Sequence, residues 1–351
     1  MLCVTDGRLR ELERQIRAYG EEHQIFGVLR VTGKGEVLFE MQMGYADPLR
    51  RELFTPESMF TFYSLSKPFC VLGFLKLVER GLVSLDEHPA RTVPEAAGLE
   101  PRVTFRHMLH HASGLPDFEQ NEEFARAHAP GYARYTRAHL AELSKYPSHF
   151  APGEGGMYAN VNMVIPALAI ENVTGTSYAD YMKREIFDPL GMQRAVVDHE
   201  ELKIPHRVQG YGLDESGVPV PVEKSHDWLL GAGDLVGTVE DVYALNRAIK
   251  EGLLLSEDLW QQVLTPHPKS GMGMGCTPSL WHGWRRITHN GGHTGFRTLH
   301  VQLPEEDFDL IFLSNSGYGN ARNDISEMVY RAFYGDPAEE GAALAMDRGY
   351  I

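Results

Sequence analysis

Apolar residues occupy nearly every position from Phe69 to Val78, and Lys76 is the one charged residue among them. An apolar run of this length with Gly81 just beyond its end is typical of a buried helix that closes on a glycine. Pro68 lacks a backbone N–H, and its ring would clash with the carbonyl four residues earlier, so the helix begins no earlier than about Ser64. The pattern therefore predicts a buried central helix that carries Ser64 at its start.

Before this helix, the spacing of charged and apolar residues predicts three elements. Asp6 to Tyr19 has helical spacing and is followed by Gly20, which predicts an amphipathic helix ended by that glycine. Phe26–Val31 and Glu36–Tyr45 are strand-like and flank a short turn with two glycines, which predicts a β-hairpin. After the central helix prolines break the pattern, so we place a domain boundary near Leu85.

The rest of the chain is predicted to be helical first and rich in strands later. The predicted helices are Tyr132–Leu143, a helix capped by Asn162 and running to Val173, Tyr178–Phe187, Val239–Lys250 and one that includes Met328–Tyr334. The predicted antiparallel strands are Trp284–Thr288, Phe296–Leu303 and Phe308–Asn315. A second boundary falls near Leu230, and the tail after Pro337 is assigned no role.

Composition and charge limit the classes of partner. The 351 residues suffice for one large domain or two lobes, and 43% apolar with 23% charged residues is typical of an ordered globular protein. A formal net charge of −15 disfavours nucleic acid and anionic membranes, which leaves small molecules as the expected ligands. Three widely spaced cysteines predict no disulfide framework. The first residues contain no apolar segment of signal-peptide length, so we expect a soluble cytoplasmic protein.

Ser64 and Lys67 are the first candidates for chemistry. Positions i and i+3 share one face of a helix, so the Lys67 amine can reach the Ser64 hydroxyl and take its proton. The helix dipole favours negative charge near Ser64, and the Ser64 backbone N–H can face a developing oxyanion. The pattern Ser-x-x-Lys is short and arises by chance in many proteins, so a catalytic role requires partner residues elsewhere.

Two glycine-rich stretches offer such partners. The segment from Pro152 to Asn160 delivers Tyr158 and Asn160, whose side chains would share a face in extended backbone, although ordinary turn and cap chemistry is the alternative. His289 and His293 have the spacing of a helical metal pair, but the two glycines between them disfavour a helix.

Three further histidines, His107, His110 and His111, could in principle ligate zinc. No carboxylate or cysteine stands at ligand spacing near them, and a turn follows at once. We therefore expect these histidines to be structural and expect no metal site.

Three motifs together resemble those of the serine β-lactamase and penicillin-binding superfamily, in the branch with class C β-lactamases, DD-carboxypeptidases, D-aminopeptidases and related esterases. Ser64-Leu65-Ser66-Lys67 matches its S-x-x-K motif, Tyr158-Ala159-Asn160 its Y-x-N motif, and His289-Asn290-Gly291 the H-x-G form of its K-T-G motif. The motifs stand in the family's order. Shorter stretches such as Pro189-Leu190-Gly191-Met192 also resemble sequences of this family, so the resemblance extends over roughly residues 8 to 334.

The resemblance implies an α+β protein with a β-lactamase-like fold, in which an antiparallel sheet is flanked by the terminal helices and a mostly helical lobe is inserted. Residues 1–85 with 230–351 would form the lobe that carries the sheet, and residues 86–229 the helical lobe. The active site would lie at the seam between them.

The resemblance also implies a set of site residues. Ser64 would be the acylated nucleophile, Lys67 and Tyr158 would share proton transfer, and the backbone N–H groups of Ser64 and Gly292 would form the oxyanion hole. Acyl transfer to water would need no metal and no organic cofactor. The residues expected to bind or orient the substrate are Asn160, His289, Gly291 and Gly292.

His289 departs from the pattern of β-lactamases and carboxypeptidases of this kind, which usually have lysine there. A lysine is a permanent cation suited to a substrate carboxylate, whereas histidine is mostly neutral at pH 7. This favours a serine hydrolase of small esters, amides or D-amino-acid peptides. The alternatives are a true class C-type β-lactamase or penicillin-binding DD-peptidase, and a catalytically idle relative that binds or polymerises.

Overall fold

The computed structural model describes residues 4–117, 137–199, 202–223 and 229–335. The first part of the predicted helix Tyr132–Leu143 and the tail after Pro337 lie outside these ranges. Within the described ranges, no helix is both long and apolar enough to cross a membrane.

The strands form one large sheet and two small ones. In chain order they are β1 (Gly27–Gly33), β2 (Glu36–Met43), β3 (Phe60–Thr61), β4 (Val196–Val197), β5 (Tyr211–Leu213), β6 (Pro219–Pro221), β7 (Leu235–Gly237), β8 (Thr277–Trp281), β9 (Trp284–His293), β10 (Phe296–Leu303) and β11 (Phe308–Ser314). The large sheet has the order β2-β1-β11-β10-β9-β8, and its paired strands are antiparallel. The small sheets are β3-β7-β4 and β5-β6.

The first and last helices pack against the large sheet, and the other helices come between β2 and β8 in the chain. In chain order they are α1 (Asp6–His23), α2 (Lys67–Glu79), α3 (Phe105–Leu109), α4 (Arg137–Leu143), α5 (Val161–Thr174), α6 (Tyr178–Met182), α7 (Asp188–Leu190), α8 (Val239–Glu251), α9 (Glu257–Leu264) and α10 (Ala321–Tyr334).

Strand β11, in the interior of the large sheet, is buried on both faces. Its Leu310 and Phe312 belong to the apolar cluster formed with the terminal helices α1 and α10, whereas Ile311 and Leu313 belong to the cluster that contains α2 and α5. A strand covered on both faces is apolar at successive positions because each side chain of the pleat meets a core. The predicted α+β fold, with terminal helices flanking an antiparallel sheet, is confirmed.

Helix α1 does not end at Gly20, as the sequence pattern predicted, but continues to His23. The left-handed cap is Gln24, with φ of 55°, and its backbone N–H donates to the Gly20 carbonyl. Gly20 is buried instead, where an added Cβ would lie 3.4 Å from the Ile25 carbonyl oxygen and 3.6 Å from Met43 Cβ. The glycine therefore permits close packing against β2 rather than ending the helix.

Strand β9 also differs from its prediction, which stopped at Thr288. The strand continues to His293 and pairs with β10 from Ile287 to the end of the glycine-rich segment.

The predicted helix Tyr178–Phe187 is partly wrong, since its second half is a π-helical turn, Lys183–Phe187. The strands β3 to β8 and helix α9 were not predicted. Most of these strands have only two or three residues, which is too short for their periodicity to be read from the sequence.

Candidate active site

The turn that holds Ser64 is a short 3₁₀ helix, Tyr63–Ser66, and the α-helix α2 starts only at Lys67. In a 3₁₀ helix the side chains at i and i+3 eclipse, so the hydroxyl and the amine still lie on one face. Ser64 is partly accessible, whereas Lys67 is completely buried. The backbone N–H of Ser64 lies in the first turn, where such groups have no acceptor within the helix.

Lys67 connects three parts of the chain at one point. Its Nζ lies 2.9 Å from Ser64 Oγ, 2.8 Å from Asn160 Oδ1 and 2.7 Å from the Ala232 carbonyl oxygen. The ring of Tyr158 packs against the same amine, with its centroid 4.7 Å from Nζ. The structure thus brings together the predicted residues Ser64, Lys67, Tyr158 and Asn160.

The Ala232 carbonyl had no sequence signal, because any residue can supply a backbone oxygen. It lies in a turn just before β7 that is braced by Asp234, whose Oδ2 accepts from the Gly231 N–H at 2.9 Å. Burial raises the pKa of Asp234 to about 7. Asp234 was not among the predicted site residues, although its turn positions an acceptor for Lys67.

The start of helix α5 places Asn160, and a carboxylate distant in sequence fixes that start. Asp117 is buried, and its two carboxylate oxygens accept the backbone N–H of Asn160 at 2.8 Å and of Val161 at 3.2 Å. The prediction that Asn162 caps this helix is wrong. Asn162 is buried in the first turn, where its amide bonds Ser113 and His111.

Tyr158 and Asn160 do not share a face through extended backbone, as the sequence had suggested. Asn160 has helical dihedral angles, with φ of −66° and ψ of −34°. Tyr158 is held instead by His111, whose ring stacks on it with centroids 4.5 Å apart. Both side chains still contact the Lys67 amine, Asn160 through a hydrogen bond and Tyr158 through its ring.

The three histidines considered for zinc have separate structural partners. His107 Nδ1 contacts Thr104, His110 Nδ1 contacts the Met272 carbonyl, and His111 Nδ1 accepts the Ala159 N–H. Within the ranges that the structure describes, no group of three or more histidine, cysteine or acidic side chains has the geometry of a metal site.

Strand β9 crosses directly over the nucleophile turn at Gly291. An added Cβ at Gly291 would lie 2.0 Å from the Phe62 carbonyl oxygen and 2.4 Å from Thr298 Oγ1. Thr298 Oγ1 donates to that same Phe62 carbonyl at 2.8 Å, which ties β10 to the turn. From the opposite face, Arg322 of α10 donates to the Gly291 carbonyl at 3.1 Å. Only glycine permits this close approach of β9 to the nucleophile turn.

His289 is buried on the inner face of β9, and its Nδ1 lies 2.7 Å from the Asn290 carbonyl oxygen. Burial, with a smaller contribution from the nearby Lys67 charge, lowers the pKa of His289 to about 3. The ring is therefore neutral at physiological pH. Since the carbonyl can only accept, Nδ1 carries the proton and Nε2 is a bare acceptor, which has no hydrogen-bond partner in the described part of the chain.

Asp117 offers the first test of how the site is held. Asp117→Ala removes the acceptor for two buried backbone N–H groups, so we expect the free energy of unfolding to fall by about 1–2 kcal/mol. Hydrolytic kcat/KM should fall about tenfold or more, because displaced Asn160 no longer meets Lys67. Urea unfolding and ester kinetics measure both effects.

Asp214→Ala is the matched control for Asp117, because Asp214 also accepts two backbone N–H groups, those of Ser216 and Val218, in an exposed turn. It should leave kcat/KM unchanged. Equal loss of activity in both variants would contradict the role given to Asp117.

The family model described as Beta-lactamase matches residues 12–332, so the chain belongs to this family. Penicillin-binding protein 4* of Bacillus subtilis (strain 168) is 29% identical over 335 residues, covering 89% of this chain and 73% of that protein. D-aminopeptidase of Gluconobacter oxydans (strain 621H) is 27% identical over 319 residues. That alignment covers 89% of this chain but 59% of the D-aminopeptidase, so the chain spans less than two thirds of that relative.

Among solved structures, the D-amino acid amidase from Ochrobactrum anthropi SV3 complexed with D-phenylalanine superposes with a TM-score of 0.76 and 26% identity, covering 92% of this chain and 97% of that one. The predicted membership in the serine β-lactamase and penicillin-binding superfamily is confirmed. The protein is a serine hydrolase of this family.

Proposed function

We propose that the protein hydrolyses small esters, amides or D-amino-acid peptides through an acyl-enzyme on Ser64. The observation that carries this proposal is the position of the buried Lys67 amine, 2.9 Å from a partly accessible hydroxyl at a helix start. The D-aminopeptidase and the D-amino acid amidase among its relatives support amide and peptide substrates by similarity.

The hydrogen bonds of Lys67 suit a base. The Asn160 and Ala232 oxygens can only accept, so a neutral amine satisfies both with its two N–H groups and turns its lone pair to the Ser64 hydroxyl. Ser64 Oγ then forms a bond to the substrate carbonyl carbon while its proton passes to Lys67. The proton goes on to the leaving alcohol or amine, with Tyr158 beside the amine as the second proposed proton carrier.

Deacylation completes the reaction. Water attacks the ester carbonyl of the acyl-enzyme, one of its protons returns to Ser64 Oγ, and the acid product leaves. In both steps the developing oxyanion would be stabilised by the backbone N–H groups of Ser64 and Gly292. The close approach of Gly291, the residue before Gly292, to the nucleophile turn supports this assignment.

The neutral His289 makes the site ill suited to a substrate carboxylate at that position. A charge-assisted hydrogen bond is typically worth ~1.5–3 kcal/mol, so its loss corresponds to roughly ten- to a hundredfold in kcat/KM. We therefore expect a short-chain p-nitrophenyl ester or a D-alanyl amide to be cleaved more efficiently than the cephalosporin nitrocefin.

His289→Lys should narrow this gap by raising kcat/KM for nitrocefin while leaving that for the ester within a few fold. Because the pKa of His289 is about 3, wild-type selectivity should not change between about pH 5.5 and 8. The measurement is kcat/KM for the p-nitrophenyl ester, the D-alanyl amide and nitrocefin on wild type and on His289→Lys, with EDTA present. If wild type turns over nitrocefin at least as well as the other two, β-lactamase becomes the better assignment.

Covalent probes separate the proposed function from that of a penicillin-binding enzyme. A penicillin-binding enzyme would react with both a fluorophosphonate and a fluorescent penicillin. A hydrolase that is selective for esters and amides would react with the fluorophosphonate and only weakly with the penicillin.

A further inference from the structure

A buried carboxyl group lies in the turn that contacts Lys67, and the chemistry described so far does not use it. Asp234 is 4% exposed and directly precedes β7. In its turn the Ala232 carbonyl accepts from the Lys67 amine at 2.7 Å, and Asp234 Oδ2 accepts the Gly231 N–H at 2.9 Å. Four consecutive residues therefore hold both an acceptor for the amine and an ionisable acid.

The second oxygen of this carboxyl group has no use in bracing the turn. Asp234 Oδ1 is buried and has no hydrogen-bond partner in the part of the chain that the structure describes. A serine or an asparagine could accept the Gly231 N–H without bringing a charge into the interior. A buried carboxylate is costly unless a cation compensates it, so the charge of Asp234 needs its own explanation.

Lys67 is the cation that compensates this charge. Burial raises the pKa of Asp234 to about 7, whereas the Gly231 N–H and the Lys67 charge lower it. Asp198 also lies close, since its backbone N–H donates to the Asp234 carbonyl at 2.7 Å. Its carboxylate has the same sign as that of Asp234 and is paired with Arg207 at 2.6 Å.

Four other titratable groups nearby are uncharged near neutral pH, because burial raises the pKa of acids and lowers that of bases. The acids are Cys70, whose pKa is raised to about 12, and Tyr178, whose pKa is raised well above its usual value. The bases are His111, whose pKa is lowered well below its usual value, and His289, whose pKa is lowered to about 3. The lysine and the aspartate therefore set the local charge, with Tyr158 packed on the amine.

We infer that Asp234 is a positioning residue whose carboxylate stabilises the ammonium that Lys67 becomes when it takes the Ser64 proton. The inference rests on the hydrolase function proposed above. In acylation the proton moves from Ser64 Oγ to Lys67 Nζ, and Asp234 neither gains nor loses a proton. The transfer gives a buried carboxylate its counter-charge, which favours the ammonium.

Asp234→Asn tests this inference, because it keeps an oxygen for the Gly231 N–H and removes the charge. Without the carboxylate the ammonium is less stable, so the amine becomes neutral at a lower pH and is a weaker base. The acid limb of the pH profile of kcat/KM for a p-nitrophenyl ester should move down by about one pH unit. The plateau at higher pH should fall by about three- to tenfold.

Asp234→Ser is the second variant, in case a buried amide at this position disturbs folding. Its hydroxyl can accept the same N–H, and it should shift the acid limb in the same direction. Thermal unfolding of both variants shows that the proteins compared are folded. A lower plateau with the acid limb at its wild-type pH would mean that Asp234 only braces its turn, and the inference would be overturned.

Asp241→Asn is the matched control. Asp241 is 2% exposed, and its Oδ2 also accepts a backbone N–H, that of Thr238, at 2.8 Å. This variant should keep the acid limb of wild type. An equal shift in Asp241→Asn and Asp234→Asn would contradict a specific effect of Asp234 on Lys67.

The rate of covalent labelling of Ser64 by a fluorophosphonate, measured against pH, separates this inference from the function on which it rests. If wild type is labelled on Ser64 and Asp234→Asn shows the same pH dependence, the inference about Asp234 alone is wrong. If wild type forms no adduct on Ser64, the hydrolase proposal is wrong and the inference is overturned with it.

Discussion

Lys67→Ala is expected to lower kcat/KM for ester and amide substrates by about a thousandfold, the range of a well-placed general base. The variant loses the group that takes the Ser64 proton, and it leaves the Asn160 and Ala232 oxygens without their buried donor. Lys67→Arg should be almost as inactive, because a guanidinium keeps the charge but cannot give up its proton near neutral pH.

Lys76→Ala is the matched control for Lys67, since Lys76 lies further along the same helix and donates to the Leu254 carbonyl. It should retain wild-type kinetics. In wild type, kcat/KM should rise with pH until the base is fully unprotonated. Activity within tenfold of wild type in Lys67→Arg would mean that charge, not proton transfer, is the contribution of Lys67.

Gly291→Ala is expected to have the second largest effect. The new Cβ would lie 2.0 Å from the Phe62 carbonyl oxygen and 2.9 Å from the Leu65 backbone nitrogen, so strand and turn must separate. Overpacking of this kind costs about 1–3 kcal/mol of stability. Displacing the oxyanion site from Ser64 by about 1 Å should lower kcat about a hundredfold.

Gly292→Ala provides the contrast on the adjacent residue. Its Cβ would point to the other face of the sheet and meet Arg297 Cδ at 2.9 Å, part of a flexible side chain that can move. The backbone N–H is retained, so the loss in kcat should stay below about tenfold. Thermal unfolding and ester kinetics of both variants measure these effects. Similar losses of kcat and stability in the two variants would contradict the conclusion that β9 approaches the nucleophile turn too closely to allow a side chain at position 291.

The local part of the site could be predicted from sequence because its signals are short-range. Ser64 and Lys67 are three residues apart, so either a 3₁₀ or an α-helical turn brings their side chains together. The central helix was equally clear, because α2 is buried on nearly every face and its apolar run is continuous.

The long-range part could not be predicted. Asp117 bonds the start of α5 from 43 residues away, and the Ala232 carbonyl meets Lys67 across 165 residues. Neither contact leaves a periodic pattern. The extent of β9 was missed for a different reason, since glycines have low strand propensity and yet Gly291 is what allows the strand to cross the nucleophile turn.

The most direct test of the central claim is covalent labelling of Ser64. Wild type and Ser64→Ala are incubated with a fluorophosphonate, and the intact masses and the modified peptide are determined by mass spectrometry. We expect one adduct per chain on wild type, located on the peptide that contains Ser64, and no adduct on Ser64→Ala. An adduct on another residue, or one that persists in Ser64→Ala, would contradict the assignment of Ser64 as the nucleophile.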